Sequence, residues 1–211
     1  MQAGTIFWDV DTQVDFMLPE GKLYVPGSVD IVEALRWLTT HAHANDIRII
    51  ASADDHVPGH RELSDTPDWV ETFPEHCMRG TPGQRKIPET ALRNPLVIDP
   101  EPRDAATLAE TVRAHDGNIL FLKHWFDVFT NPNVLPVVDA LAPSHIVLYG
   151  VALDVCNRYA LDGLLTHRPD ISLTLVTDAT RAIDASRAEG LLSDWHSRGV
   201  TLTTTDEVLR G

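Results

Sequence analysis

Two groups of side chains in this sequence have the types and spacing to do chemistry. The first is Asp54, His56, His60 and His76. Asp54 and His56 stand two apart at the end of Ile47 to Ala53, which reads as a buried strand. A period of two sends both side chains to the same side. Pro58-Gly59 turns the chain and can return His60 to that place, and His76 follows in Phe73-Pro74-Glu75-His76-Cys77. One carboxylate and three imidazoles suit Zn²⁺, with Fe²⁺ or Mn²⁺ as alternatives. A lone His would read as a surface or core residue. Four ligand types at the mouth of one strand favour a divalent ion. Cys77, next to His76, reads as packing.

The second group is Asp11, Lys123 and Cys156. Each follows an apolar run: Thr5 to Val10, Ile119 to Leu122, and Ile146 to Tyr149. Cysteine-dependent amide hydrolysis needs such a set. A thiolate attacks a carbonyl, and a carboxylate takes the thiol proton and gives it to the leaving amine. A Lys helps hold the charged forms. The run Gly150-Val151-Ala152-Leu153-Asp154-Val155-Cys156-Asn157-Arg158 reads as a strand end, a Gly-marked turn and the first turn of a helix continuing through Tyr159 to Leu165. A helix N-terminus favours thiolate over thiol. Asp154 is the expected N-cap, and amides of the turn before Cys156 can receive an oxyanion. Each piece alone has a plainer reading. Cys156 could be a small buried apolar residue. Asp11 could cap a turn, as one of three Asp in seven residues (Asp9, Asp11, Asp15). Lys123 could be an exposed Lys after a strand. The set in this order carries the chemistry.

The elements that must position these groups alternate. Helices are expected from Ser28 or Asp30 to about Asn45, with His41 and His43 at the C-terminal end, and over Arg103–His115, Asn131–Leu141 and Ala182–His196. Further strands are expected at Ser172–Thr177 and Thr201–Thr204. Residues 61–103 are rich in Pro, Glu and Asp and read as a long excursion with little regular structure, usually functional in a compact domain. The alternation predicts a single α/β domain over 1–211, a doubly wound parallel sheet flanked by helices on both faces. No Gly-x-Gly-x-x-Gly follows the first strand, which disfavours a dinucleotide.

Composition narrows the partners. The net charge of −14 over 211 residues repels nucleic acid and anionic lipid. No run is long enough for a membrane span, and no secretion signal is expected at the N-terminus. Both cysteines, Cys77 and Cys156, are then expected as reduced thiols. The expectation is a cytoplasmic protein acting on a small molecule.

In these residues the sequence resembles the nicotinamidase/pyrazinamidase branch of the isochorismatase-like cysteine hydrolases, over nearly the whole chain. The matching segments are Asp11-Thr12-Gln13-Val14-Asp15-Phe16, Asp54-x-His56 with Pro58-Gly59-His60, Phe73-Pro74-Glu75-His76-Cys77 with Gly80-Thr81-Pro82-Gly83, Lys123, and Gly150 through Cys156. The resemblance implies Cys156 as nucleophile, Asp11 as proton shuttle and Lys123 as third member of a triad. It implies an oxyanion hole from the amides of Ala152 and Cys156, with a cis peptide before Ala152. It implies Asp54, His56, His60 and His76 as ligands of an ion that binds the ring nitrogen of nicotinamide and orients its amide. Phe16 would line the ring, with Phe73 and Gln13 also in the substrate site. Three departures touch substrate identity: Phe73 where many members carry Trp, the short loop His124 to Phe129, and Asp55 and Val155 in regions that vary. The reading is a metal-assisted cysteine amidohydrolase converting nicotinamide to nicotinate and ammonia through a Cys156 thioester. The alternatives are an amidase of this family acting on another small amide, or a non-catalytic metal- or ligand-binding relative. The family often forms homo-oligomers, and one is an open expectation here.

Overall fold

The computed structural model describes residues 4–211. The first three residues, part of the expected 1–211 domain and of the stretch read for a secretion signal, lie outside the described residues. In chain order the main elements are β1 (Thr5–Val10), α1 (Val14–Met17), α2 (Val32–Ala44), β2 (Ile49–Asp54), β3 (Leu96–Ile98), α3 (Ala105–Ala114), β4 (Ile119–Lys123), α4 (Val134–Leu141), β5 (His145–Val151), α5 (Cys156–His167), β6 (Ser172–Arg181), α6 (Ala185–Ser197), β7 (Thr201–Thr203) and α7 (Thr205–Arg210). The strands form one sheet, ordered β3-β4-β2-β1-β5-β6-β7, with every pairing parallel.

A parallel sheet covered on both faces needs strands that are apolar along their whole length. β1 shows why these residues qualify. Phe7 stacks on His41 of α2, while Trp8, pointing the other way, meets Phe121 and Phe129. Phe129 in turn packs on His167 of α5. Helices therefore cover both faces, as the alternation predicts. Three helices start on side-chain caps: Asp104 for α3, Asp184 for α6, and a Thr204/Glu207 capping box for α7.

The chain builds β2, β4 and β3 outward from one side of β1, then crosses to build β5, β6 and β7 on the other. The order reverses at β1, and ligands of open α/β sheets bind beside such a switch point at the C-terminal strand ends. The ends of β4, β2, β1 and β5, which are neighbours, carry Lys123, Asp54, Asp11 and the Cys156 turn.

Three elements were not anticipated, the first being the single-turn helix α1 after Gln13. β3 is a three-residue edge strand inside the 61–103 excursion, too short to give a pattern. α7 lies beyond the last expected strand, although Thr204-x-x-Glu207 marks its start. No helix is long and apolar enough to cross a membrane among the described residues.

Candidate active site

Asp11 leaves β1 in the left-handed region, with φ at +48°. Asp tolerates that region better than most residues, and its carboxylate is fully buried there. Lys123 ends β4 directly opposite Asp54 in β2. Its Nζ lies 3.0 Å from Asp11 Oδ2 and 3.8 Å from Cys156 Sγ, and it donates to Asp54 Oδ1. Burial opposes the charge on Lys123. Asp11 and Asp54 outweigh it and raise the pKa well above the usual lysine value, so the ammonium persists.

β5 delivers Cys156. At Gly150 φ is +115°, and a Cβ there would come within 2.0 Å of Val10 O, so only glycine lets β5 close against β1 at this point. The Val151–Ala152 peptide is cis, as the resemblance implies. In the turn that follows, Val155 N–H and Asn157 N–H both donate to Ala152 O, and Leu153 N–H donates to Arg181 O. The amides of Ala152 and Cys156 have no backbone acceptor among the described residues. Cys156 is the first residue of α5. The N-cap position falls to Val155, not Asp154, and makes no side-chain cap. Asp154 instead accepts from Ile183 N and Asp184 N, pinning the β6–α6 loop to this turn.

The helix terminus expected to favour a thiolate at Cys156 is present, and burial acts against it. Burial pushes the thiol well above its ordinary value; Lys123 opposes this, while the Asp11 and Asp54 charges and an S–H bond to Asp11 add to it. Desolvation of the side chain works against the thiolate that a helix end alone would favour.

Beside the triad, four buried atoms face one another: Asp54 Oδ2, His56 Nε2, Glu62 Oε2 and His76 Nε2. None has a hydrogen-bond partner. His76 Nε2 lies 3.5 Å from Asp54 Oδ2 and 3.5 Å from Glu62 Oε1; His56 Nε2 lies 3.9 Å from Asp54 Oδ2 and 4.0 Å from Glu62 Oε2. One ligand atom from each residue fits within 4.8 Å of all the others. Buried acceptors without partners are costly. His76 Nδ1 pairs with Pro74 O at 2.7 Å, which leaves Nε2 free as a ligand atom. Burial opposes a proton on His76, yet the Asp54 and Glu62 carboxylates, each 3.5 Å away, raise its pKa to about 10. The group thus draws positive charge between its carboxylates, and two imidazoles with two carboxylates fit a divalent ion.

This set differs from the expected one. His60 is outside it and Glu62 is inside. The Pro58-Gly59 turn, closed by His60 N–H to Val57 O, leaves the His60 ring half-buried against His124. Its Nδ1 lies 3.3 Å from His56 Nδ1, on the side away from the cluster. The next turn, Leu63 N–H to His60 O, swings Glu62 inward. Glu62 gave no signal in the sequence because it lies in an acidic, Pro-rich stretch where one more Glu does not stand out.

Between ion site and triad lies a narrow cavity of about 10 Å³, room for little more than one water. That is far below the ~300–1,000 Å³ of ligand pockets, so the walls close on one another in this structure. Phe16, Phe73, Leu23, Val25, Val155 and Ile183 form its apolar walls. Phe16 and Phe73 both line this cavity, their rings 5.3 Å and 6.4 Å from that of His76. Gln13 does not. It is fully buried, its Nε2 donating to Asp54 O and Gln84 O and its Oε1 accepting from Asp54 N. With its amide so occupied, Gln13 holds the Asp54 backbone and has no group left for a substrate. Asp55 also turns away, paired with Arg79 and Gln84. Cys77 is buried packing, its amide held by Asp15 Oδ2 at 2.7 Å.

Comparison with known proteins bears on the fold and the family. The nicotinamidase/pyrazinamidase of Mycobacterium tuberculosis (strain ATCC 25618 / H37Rv) is 35% identical over 74 residues, 35% of this chain, and the match spans only 39% of that protein. The pyrazinamidase of Pyrococcus horikoshii, solved in complex with zinc, superposes with a TM-score of 0.74 at 21% identity over 95% of this chain and 99% of that one. The N-carbamoylsarcosine amidase of Thermoplasma acidophilum superposes with a TM-score of 0.69 at 21% identity over 96% of each chain. These likenesses in structure show a shared fold, and the sequence match falls in the branch whose motifs the chain carries. Residues 6–207 match the isochorismatase domain family. The chain belongs to the isochorismatase family.

Proposed function

We propose that this protein is a cysteine amidohydrolase that cleaves the linear carbon–nitrogen bond of a small, neutral, ring-bearing amide, with nicotinamide, giving nicotinate and ammonia, as the substrate the site suits best. The observation that carries this reading is the convergence of Asp11, Lys123 and Cys156 on one end of a cavity whose other end is the four-ligand group. Asp54, His56, Glu62 and His76 would hold a divalent ion, Zn²⁺ or alternatively Fe²⁺ or Mn²⁺. When bound, the ion supplies a Lewis acid that a ring nitrogen can bind.

The residues of the chain do the rest. Asp11 accepts the Cys156 thiol proton as Sγ attacks the amide carbon. The amides of Ala152 and Cys156 donate to the oxyanion. Asp11 gives the proton to the amide nitrogen, the carbon–nitrogen bond breaks, and ammonia leaves a thioester on Cys156. Water then attacks the thioester, losing a proton to Asp11. The carbon–sulfur bond breaks, the acid departs, and Asp11 returns the proton to sulfur. Lys123 supports the carboxylate and the transient thiolate throughout. Phe16 and Phe73 flank the ring.

The cavity lining also separates substrate classes. It holds no Arg or Lys among the described residues, so beyond the ion and the oxyanion amides a substrate carboxylate would find no cationic side chain in the cavity wall. That disfavours carbamoylated amino acids. The net charge and the two free thiols support a cytoplasmic setting. Ammonia release from nicotinamide, acetamide and an N-carbamoyl amino acid tests the reading. Nicotinamide should give kcat/KM at least ~100-fold above the other two, since an apolar pocket and a ligand for the ring act together. Comparable values for acetamide would favour the second reading, an amidase of the same site serving another small amide.

A further inference from the structure

The wall formed by Phe73 belongs to a flap with few ties to the rest of the molecule. Every hydrogen bond made by residues 63–72 closes within residues 60–73 among the described residues. The flap is stiff in itself. Asp68 Oδ1 accepts from the amides of Val70, Glu71 and Thr72, and Trp69 N–H donates to Thr72 O. Its tip projects outward, with Trp69 57% and Val70 74% exposed.

At the base the two legs are bolted together. Phe73 N–H donates to Glu62 O at 2.7 Å, and Ser64 N–H donates to Phe73 O at 2.9 Å. From this one base the Glu62 carboxylate points at the ligand group and the Phe73 ring points into the cavity. The remaining ties are ring contacts of Phe73 with His76 and Phe126 and, at the base, Arg61 over the Trp125 ring and His60 against His56 and His124.

The other three ligands do not depend on the flap. Asp54 is the last residue of β2. His56 is held by its amide to Cys77 O and by Arg79 N–H to its own carbonyl, which fixes it to the segment carrying His76. Three ligands thus sit on the body and one on the flap. The two carboxylates, Glu62 and Asp54, come together only with positive charge between them; without an ion the His76 imidazole, 3.5 Å from each, is what can supply it. A ring-bearing substrate needs a moving wall, because the cavity as it stands has only about 10 Å³ of room.

We propose that Glu62 is a positioning residue that latches the 62–73 flap to the ion, so that ion occupancy sets the place of Phe73 and hence the shape of the substrate cavity. This rests on the ion site read above and goes beyond it: one ligand controls a wall that touches substrate.

Hydrogen–deuterium exchange of the intact protein, loaded with Zn²⁺ or treated with a chelator, tests the latch, with bound zinc measured in parallel. Chelation should speed exchange of the 63–73 segment ~10-fold or more while segments 49–55 and 77–79 hold their protection. Glu62→Ala, brought to full zinc content, should exchange fast in 63–73 with or without chelator. It should also raise KM for a ring amide more than it lowers kcat, with Glu62→Gln in between. Bound zinc with unchanged exchange in 63–73 would overturn the latch and leave the ion site standing. So would a zinc-loaded Glu62→Ala protein as protected as the parent. Absence of bound zinc in the parent would overturn both.

Discussion

Asp54 and Lys123 are direct neighbours across β2 and β4, and their contact joins the two halves of the site. Lys123 donates to Asp54 Oδ1, while Asp54 Oδ2 faces His76 at 3.5 Å. One carboxylate thus answers to both the ammonium of the triad and the ion group.

That shared position makes Lys123 a structural and a chemical residue together. Replacing it with Met leaves Asp11 and Asp54 buried without their cation. Breaking a buried pair from one side costs about 3–5 kcal/mol, or roughly 10 °C in a domain of this size. Calorimetry on Lys123→Met should show that loss, together with loss of turnover. An unchanged melting temperature would mean that the ammonium does not balance these carboxylates.

Gln13 offers a prediction that separates bracing from substrate contact. Its amide is spent on the backbone of Asp54 and on Gln84. Loss of an outer partner of a ligand typically weakens metal affinity about 10–100-fold. Gln13→Ala should show this in a chelator competition. If affinity is unchanged and only KM rises, Gln13 contacts the substrate after all.

Away from the site, Asp9 is buried with Lys86 at 2.9 Å and a Thr12 hydroxyl donor at 2.8 Å. Burial raises its pKa above the ordinary 3.8 in spite of Lys86. A raised carboxyl stabilises the fold fully below pH 3.8 and loses that contribution as pH rises through its folded value. Asn at this position stays neutral. The melting temperature of Asp9→Asn minus that of the parent should therefore increase between pH 4 and pH 7. A difference that falls over this range would show that Lys86 dominates burial.

Much of this was legible before the structure. Apolar runs ending in Asp11, Lys123 and the Cys156 turn announce a parallel sheet with its chemistry at one edge, because strands buried on both faces leave little else polar. What could not be read lies in side-chain direction. A period of two places Asp54 with His56, but no periodicity operates across Pro58 to Phe73, so His60 and Glu62 could not be told apart. Gln13 looks like a substrate ligand in sequence and is a brace in space. Cys156 sits at a helix start, as expected, yet its burial opposes the thiolate, and burial is not local to the sequence.

The central claim is covalent catalysis at Cys156 with Asp11 as the proton carrier. Acid-quenched mass spectrometry of the protein turning over nicotinamide tests it most directly. A nicotinoyl group should be found on the Cys156 peptide. Cys156→Ala and Asp11→Asn should each lose ~10³-fold or more in kcat, and the double substitution should be no worse than either, since the pair acts as a unit. Ammonia release that persists in Cys156→Ala, with no acyl group on Cys156 in the parent, would contradict the account.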